Sequence, residues 1–480
     1  MKRISLFALL MVGMAQLIFA RDGYRIQIKI DEVQEGVVYL AHYYGKPLPS
    51  AIYKADSATF DKNGVAVIES KQPLVGGIYI IMLSDHKTYF ELLLNNGDNM
   101  SISTSIKNLP DGIVFKNSPD NEQFMGYVRF LKNFGTKQKE LVDRYAAART
   151  NTDTSDIRKK LKENSLALTT YRRNYASAHP NTLLANIFNA LELPEVPEGK
   201  HLLPDGTVDS NFTYEYYKAH YWDHFNFRDD RLVYTPIYDA KLDEYFNKLV
   251  LPYPDSIEVE GDKLLAKTRG TKELFKYTLW WLEHNAQDSK IMGMDAVVVY
   301  LVENYYMKGD ATWLSNEDLN KYIDYASKIA PNVLGNLAPE IKMPDVNGKE
   351  QSLMAVKAKY TLLLFWSPDC SHCQKEIPLV DSVYRAVLKA KGTKVYAVRT
   401  EGDDTKWKEM IKKMGITDWI NVSDPDHTRQ DYRRKYDVYS TPIMYLLDEN
   451  KIIRGKKIDH TNIADVIELL ERKERSKTKK

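Results

Sequence analysis

Three patterns of apolar and polar positions follow one another along the chain. From Tyr24 to Ile113 apolar residues alternate with polar ones, as in Tyr24-Arg25-Ile26-Gln27-Ile28-Lys29-Ile30 and again around Gly77-Ile78-Tyr79-Ile80-Ile81-Met82. A period of two puts one face of a strand in a core and the other in water. Turn residues at Asp61-Lys62-Asn63-Gly64 and Asn95-Asn96-Gly97-Asp98 separate the strands. The second group lies between residues 90–94 and 100–105, where it predicts a hairpin. A small all-β sandwich is expected, with nothing catalytic in it; a docking or spacer module is its plainest reading.

From Ser118 the period becomes helical. Asn117-Ser118-Pro119-Asp120 supplies a cap and a start. Helices are expected over 122–134, 137–148, 156–177 and 182–191, with His179-Pro180-Asn181 as a stop. Residues 193–205 are rich in Pro and Gly and read as a loop. An aromatic block follows, from Tyr214 to Tyr238. Within it His220 and His224 stand four apart, on one helix face. A metal site there lacks further ligands at a recognised spacing. A groove for a peptide or glycan is a second reading, and packing between helices the default. More helices are expected over 263–284, 290–306 and 316–330, and residues 331–336 form a linker.

The third pattern alternates short apolar runs with helical stretches. It predicts a helix over 352–357, a strand over Tyr360–Trp366 and a helix from the following turn to about 391. A strand over 394–398 and helices over 406–414 and 428–436 come next. Strands 443–447 and 452–456 form an antiparallel pair, and a helix over 463–472 closes the chain. Such alternation suits a mixed sheet covered on both faces.

The chemistry sits where the first of these strands ends. Tyr360–Trp366 is too short for most helices and bounded by turn residues, so it reads as a buried strand. Ser367-Pro368-Asp369 breaks it, and Cys370-Ser371-His372-Cys373 opens the next helix. A Cys-x-x-Cys at a helix N-terminus is a redox candidate, because unpaired N–H groups and the helix dipole favour a thiolate at the first sulfur. Cys370 is then the attacking thiol, and Cys373, one turn on, resolves the mixed disulfide. Ser371 and His372 tune the pair: a charged His372 pushes it towards oxidising behaviour, whereas a solvated one does nothing. Two other readings compete. Half a zinc site lacks the remaining ligands, and a structural disulfide across so short a loop gains little closure entropy.

Composition narrows the choice. With 480 residues and 44% hydrophobic content the chain can bury two to four cores. Basic residues number 67 against 65 acidic, a formal net charge of +2, which is no nucleic-acid footprint. Met1 to Ala20 reads as a secretory signal, with Lys2 and Arg3 ahead of an apolar run too short for most membrane spans. Cleavage after Ala20 is expected, although Ile18 departs from the small-residue rule; if uncleaved, the segment is a membrane anchor. No Cys follows it to carry a lipid. Exported proteins use cysteines mainly for structural disulfides. Here the only two cysteines are the motif pair, so an exported chain avoids thiols that would mispair with its own site.

Residues 335–474 resemble the thioredoxin fold of the TlpA/ResA-like thiol-disulfide oxidoreductases. The matching residues are Ala338-Pro339-Glu340, Asp345-Val346-Asn347-Gly348-Lys349, Phe365-Trp366 before the cysteines, Glu376 and Pro378 after them, and Ser440-Thr441-Pro442. The resemblance implies a cis proline at Pro442 beside the two sulfurs. It implies an acidic group, Glu376, that handles the proton of the resolving cysteine, and a groove with Trp366, Ser371, His372 and Thr441 around it. Leu364 stands where ordinary thioredoxins bury an Asp, and His372 where the family often has Pro. The places of the peroxidatic Pro and Thr of peroxiredoxins hold Leu363 and Ser367. The β-region resembles the domain that often precedes TlpA-like domains in Bacteroides-type envelope proteins. The aromatic block and Ile291-Met292-Gly293-Met294-Asp295-Ala296 resemble a helical domain of unknown function from the same group.

The expectation is therefore a multidomain chain: a signal peptide at 1–20, an all-β sandwich at 21–117, an all-α domain at 118–334 and an α/β thioredoxin fold at 335–480. Its function is an exported, periplasmic or cell-envelope thiol-disulfide oxidoreductase. It reduces or exchanges disulfides in partner proteins, without cofactor or metal, and an upstream redox protein supplies its electrons. The alternative is an envelope binding or scaffold protein, whose β and helical domains hold a partner or glycan and whose last domain is a redox latch.

Overall fold

The structure, a computed structural model, describes residues 22–46, 52–148 and 150–478. The expected signal segment lies outside the described residues. The chain forms two compact units, Met1–Tyr245 with Gly270–Leu274, and Phe246–Arg269 with Phe275–Lys480. The expected order of β, helical and α/β regions holds, with the helices shared between the units. Among the described residues no helix is long and apolar enough to cross a membrane.

The first unit begins with two four-stranded sheets. The strands are β1 (Tyr24–Ile30), β2 (Val37–His42), β3 (Tyr53–Thr59), β4 (Val65–Ser70), β5 (Gly77–Leu83), β6 (Tyr89–Leu94), β7 (Asn99–Thr104) and β8 (Val114–Lys116). One sheet runs β4-β1-β7-β8 and the other β3-β2-β5-β6. The alternation works as expected: Ile26, Ile28 and Ile30 are buried and Gln27 and Lys29 are not. The expected hairpin at 95–98 is corrected. The turn hands the chain from β6 at the edge of one sheet to β7 in the other, where β7 pairs in parallel with β1. Turn chemistry states that the chain reverses; it does not state which strand comes next to pair.

Helices α1 (Pro119–Ala147), α2 (Asn151–Ala178), α3 (Leu183–Ala190), α4 (Phe212–His220) and α5 (Tyr238–Glu244) complete this unit. The two helices expected over 122–148 are one: Gly135 sits mid-helix, where a single glycine costs only about 1 kcal/mol. Buried Asn121 serves the edge of β6, accepting from the Leu93 N–H at 2.7 Å and donating to its carbonyl at 2.8 Å. The aromatic block packs partly into the core: Tyr221, Trp222, Phe225 and Tyr238 are buried, and Tyr214 is exposed. His220 bonds to Asp223 at 2.6 Å, and no group of three or more metal-ligating side chains occurs among the described residues.

The second unit carries α6 (Pro254–Thr268), α7 (Glu273–Asp288, apart from its first two residues), α8 (Asp295–Leu301) and α9 (Asn316–Ile329). The single helix expected over 263–284 is two, broken at Arg269-Gly270. The new helix start is capped from far away: the Asp230 carboxylate accepts the N–H groups of Lys272, Glu273 and Leu274 at 3.1, 3.0 and 2.9 Å.

The α/β part of this unit comprises β9 (Lys342–Pro344), β10 (Glu350–Ser352), β11 (Tyr360–Trp366), α10 (Ser371–Val383), β12 (Thr393–Arg399), α11 (Asp404–Lys413), β13 (Ile420–Ser423), α12 (Tyr432–Lys435), β14 (Ile443–Leu447), β15 (Ile453–Lys456) and α13 (Ile463–Thr478). The five-stranded sheet runs β13-β12-β11-β14-β15, with β11 parallel to β12 and antiparallel to β14. Every residue of β11 is buried, which is why it reads as one apolar run rather than an alternation. Leu362, Leu364 and Trp366 enter one core layer, and Leu363 and Phe365 the other. The short helix expected over 352–357 is absent; Glu350–Ser352 instead pairs with Lys342–Pro344. The helix expected over 428–436 shrinks to Tyr432–Lys435.

Candidate active site

The central strand ends at Trp366, whose carbonyl accepts the N–H of Thr400 at 2.8 Å. Ser367 then turns the chain: its Oγ accepts the Asp369 N–H at 3.2 Å, and its carbonyl the Cys370 N–H at 3.2 Å. Cys370 caps α10, with extended φ and ψ of −80° and 115°, and its sulfur accepts the Cys373 N–H at 3.2 Å. Cys370 is partly exposed and Cys373 fully buried; both are free thiols.

Position separates the two sulfurs chemically. Burial opposes ionisation of Cys370 but is outweighed by hydrogen bonds to its sulfur from Cys373 and Thr441 and from the backbone N–H groups of Cys373 and His372. The thiol is held below its ordinary value. Burial pushes the Cys373 thiol up to about 12, and the neighbouring Cys370 sulfur adds to the shift. The strand-to-helix turn thus yields one available thiolate above one protonated reserve.

The loop before β14 closes over this pair. The Cys370 thiol donates to the Thr441 carbonyl at 3.2 Å, and the Thr441–Pro442 peptide is cis. Sequence positions about seventy residues apart are thereby brought together. Ser371 and His372 lie exposed on the first turn. Trp366 does not belong to a groove: it is completely buried in the core beneath the motif, because it is the last inward residue of a central strand.

Glu376 lies one turn beyond Cys373, partly buried. Its carboxylate is held by His460, in the loop after β15. The His460 N–H donates to Oε1 at 2.9 Å, and Nδ1 lies 2.9 Å from both oxygens. Neither sulfur is among its hydrogen-bond partners. Sequence reasoning missed His460, and nothing near it in sequence marks it.

A second feature also escaped it. Gly402, with φ of +96°, presses on the motif turn, and a Cβ there would lie 2.7 Å from Pro368 Cγ and from Asp369 Oδ2. Gly402→Ala is therefore expected to cost about 1–3 kcal/mol and to change the alkylation rate of Cys370 by shifting the turn that carries it. A thermal melt and an iodoacetamide rate measured on the same preparation check both effects.

Three families match the chain. Residues 24–124 match a domain of unknown function (DUF4369), residues 148–332 another (DUF5106), and residues 334–456 the AhpC/TSA family. The thiol-disulfide oxidoreductase ResA of Bacillus cereus is 27% identical over 141 residues, which are 29% of this chain and 79% of that protein. ResA of Geobacillus thermodenitrificans is 25% identical over 138 residues, 28% of this chain and 76% of that one. Among solved structures, a domain of a possible thiol-disulfide isomerase from Cytophaga hutchinsonii is 41% identical, covering 32% of this chain and 99% of its own, with a TM-score of 0.28. A thioredoxin-like protein from Bacteroides caccae is 20% identical, covering 56% and 98%, with a TM-score of 0.44. The C-terminal segment is thus a thioredoxin-like domain of the AhpC/TSA family, with thiol-disulfide oxidoreductases among its relatives.

Proposed function

We propose that this chain is an exported thiol-disulfide oxidoreductase that reduces disulfides in partner proteins. The observation that supports this most is the contrast between the two sulfurs: Cys370 is partly exposed with its thiol below the ordinary value, and Cys373 is buried with its thiol near 12. The Cys370 thiolate attacks one sulfur of a substrate disulfide. A mixed disulfide forms, and the other substrate sulfur leaves as a thiolate and takes a proton. Cys373 then gives up its proton and attacks the Cys370 sulfur. The Cys370–Cys373 disulfide forms, and the second substrate thiol departs. Two electrons have moved to the substrate, and an upstream dithiol protein must return them to the motif.

Glu376 receives the Cys373 proton in this reading, and His460 positions its carboxylate for that task. Pro442 and Thr441 shape the surface over the sulfurs, and exposed His372 sets the potential from the first helical turn. Export to the periplasm or cell envelope rests on the N-terminal segment of the sequence and on the restriction of cysteine to this pair.

Equilibrating the purified chain with thiol/disulfide buffers tests the reading. A reversible couple near the thioredoxin potential, about −270 mV, supports a reductase; a value near −120 mV, about that of DsbA, makes the chain an oxidant. The absence of a reversible couple removes the enzyme reading. His460→Gln is expected to leave the Cys370 alkylation rate intact and to slow the resolving step about tenfold, less than the roughly 10²–10⁴-fold lost with an acid–base group itself, because His460 only positions the Glu376 carboxylate. Stopped-flow measurement of mixed-disulfide decay reads that step directly.

A further inference from the structure

The thioredoxin-like domain carries its thiols at one end of the central sheet and a group of cations at the other. β11 and β12 run in parallel, and Cys370 follows the end of β11. The seven residues of β11 set the strand starts about 20 Å from the motif. Lys357 and Lys359 lead into β11, and Lys391 and Lys394 flank the start of β12. The C-terminal half of α13 lies against them and adds Arg472, Lys473 and Arg475. Glu471 fixes that juxtaposition: its carboxylate accepts from Lys359 at 3.2 Å and from Lys391 at 2.6 Å.

Cations outnumber carboxylates on this surface. Glu471 is shared between two lysines, Glu468 accepts from Arg472 at 2.5 Å, and Glu474 acts on Lys359. Lys357 and Lys394 make no ion pair among the described residues. At the far edge of the same end, Asp448 and Glu449 of the β14–β15 turn are balanced by Lys451 and by Arg454, which pairs with Asp448 at 2.8 Å. The formal net charge of the whole chain is only +2, so the excess is local.

Cations in the last turns of a helix complement its dipole, which accounts for Arg472 to Arg475. It does not account for the four lysines at the strand starts. All of these side chains except Lys391 are exposed, spread over a face as a diffuse negative surface requires. Leu469 is also 53% exposed. It precedes Arg472 and Lys473 by three and four residues, on their face of the helix. An apolar side chain beside cations is the pattern of a helix lying at a lipid headgroup layer.

We propose that this end of the domain rests on an anionic lipid surface, through these cations and Leu469, with Cys370 facing away from the bilayer. Contact with such a membrane rests on the export reading, whereas the thiol couple does not enter it; a failed redox titration leaves the surface standing.

Flotation of the full-length protein with vesicles tests the proposal, using phosphatidylcholine alone or an equal mixture with phosphatidylglycerol. The apolar segment 1–20 is common to every variant, so differences between variants read the patch. The parent is expected to bind the mixed vesicles more tightly, and added salt to remove the gain. Lys357→Gln, Lys394→Gln and Arg475→Gln together weaken that binding about a hundredfold, at about fivefold per cation. Lys62→Gln, Lys71→Gln and Lys87→Gln together, at exposed sites in the β-region, leave it unchanged. Iodoacetamide labels Cys370 at the same rate on vesicles as in solution.

No gain from phosphatidylglycerol overturns the proposal, as does a patch variant that binds like the parent or a β-region variant weakened equally. Capture of poly-glutamate without vesicle binding also overturns it, and gives the surface to an acidic protein. Slowed labelling of Cys370 on the vesicles overturns the orientation.

Discussion

Cys370→Ser stops disulfide reduction, whereas Cys373→Ser stops it only after the first bond has formed. The two variants are expected to differ in this way because the two sulfurs sit in different electrostatic positions. Cys370 ends the turn after β11 with N–H groups aimed at its sulfur, so in the proposed function its thiolate is the species that meets a substrate. Removing it leaves no accessible sulfur, and the rate falls by about 10³-fold or more, as for other lost nucleophiles. Without Cys373 the first attack proceeds, but nothing displaces the substrate. A mixed disulfide then accumulates on Cys370. Insulin as substrate, with mass spectrometry of the trapped adduct, checks both outcomes. An active Cys370→Ser protein, or an adduct on Cys373, would sink the assignment.

The same contrast sets the pH behaviour. Below the Cys370 pKa its sulfur is a thiol and reacts slowly with iodoacetamide; above it the thiolate reacts fast. Because that pKa is depressed, the rise comes earlier than for a free cysteine, near 8.5. Cys373 stays unmodified until the pH approaches 12. A profile with both sulfurs reacting together near 8.5 contradicts the geometry.

How much of this was visible in the sequence depends on how far apart the interacting residues lie. The buried strand Tyr360–Trp366, the turn after it and the cysteine at the helix start are local. Apolar pattern, turn chemistry and motif spacing all fall within twenty residues, and the structure follows them. Several of the failures share one cause, a partner brought in from a distance. Asp230 caps the start of a helix more than forty positions away, a contact that nothing around Arg269-Gly270 announces. His460 meets Glu376 across 84 positions. Asn95–Asp98 has every local mark of a hairpin, yet β7 is claimed by β1. The resemblance placed Trp366 at the groove. Strand alternation sends it inward to the core instead, and only the register of the whole sheet shows which side that is.

Lys456 is a further case, and its partner carries the largest expected effect on stability. This lysine on β15 is 5% exposed, and burial lowers its pKa. Its ammonium bonds to the Asp295 carboxylate at the start of α8 and to the buried Asn332 side chain, whose amide in turn donates to the carbonyls of Lys328 and Lys435 at 3.2 and 3.0 Å. A buried pair of this kind adds little net stability over an apolar pair, because desolvation offsets the attraction. Breaking it from one side is different, since the remaining charge is buried alone. Asp295→Ala is therefore expected to destabilise the fold by about 3–5 kcal/mol. Lys456→Met, which removes the charge and keeps the length, should cost much less. The double variant should recover most of the loss, because no charge is then stranded. Urea unfolding of the wild type, both single variants and the double variant measures the cycle. If Asp295→Ala proves no worse than Lys456→Met, the ammonium has found water or another acceptor, and the pair does not join α8 to the edge of the redox sheet.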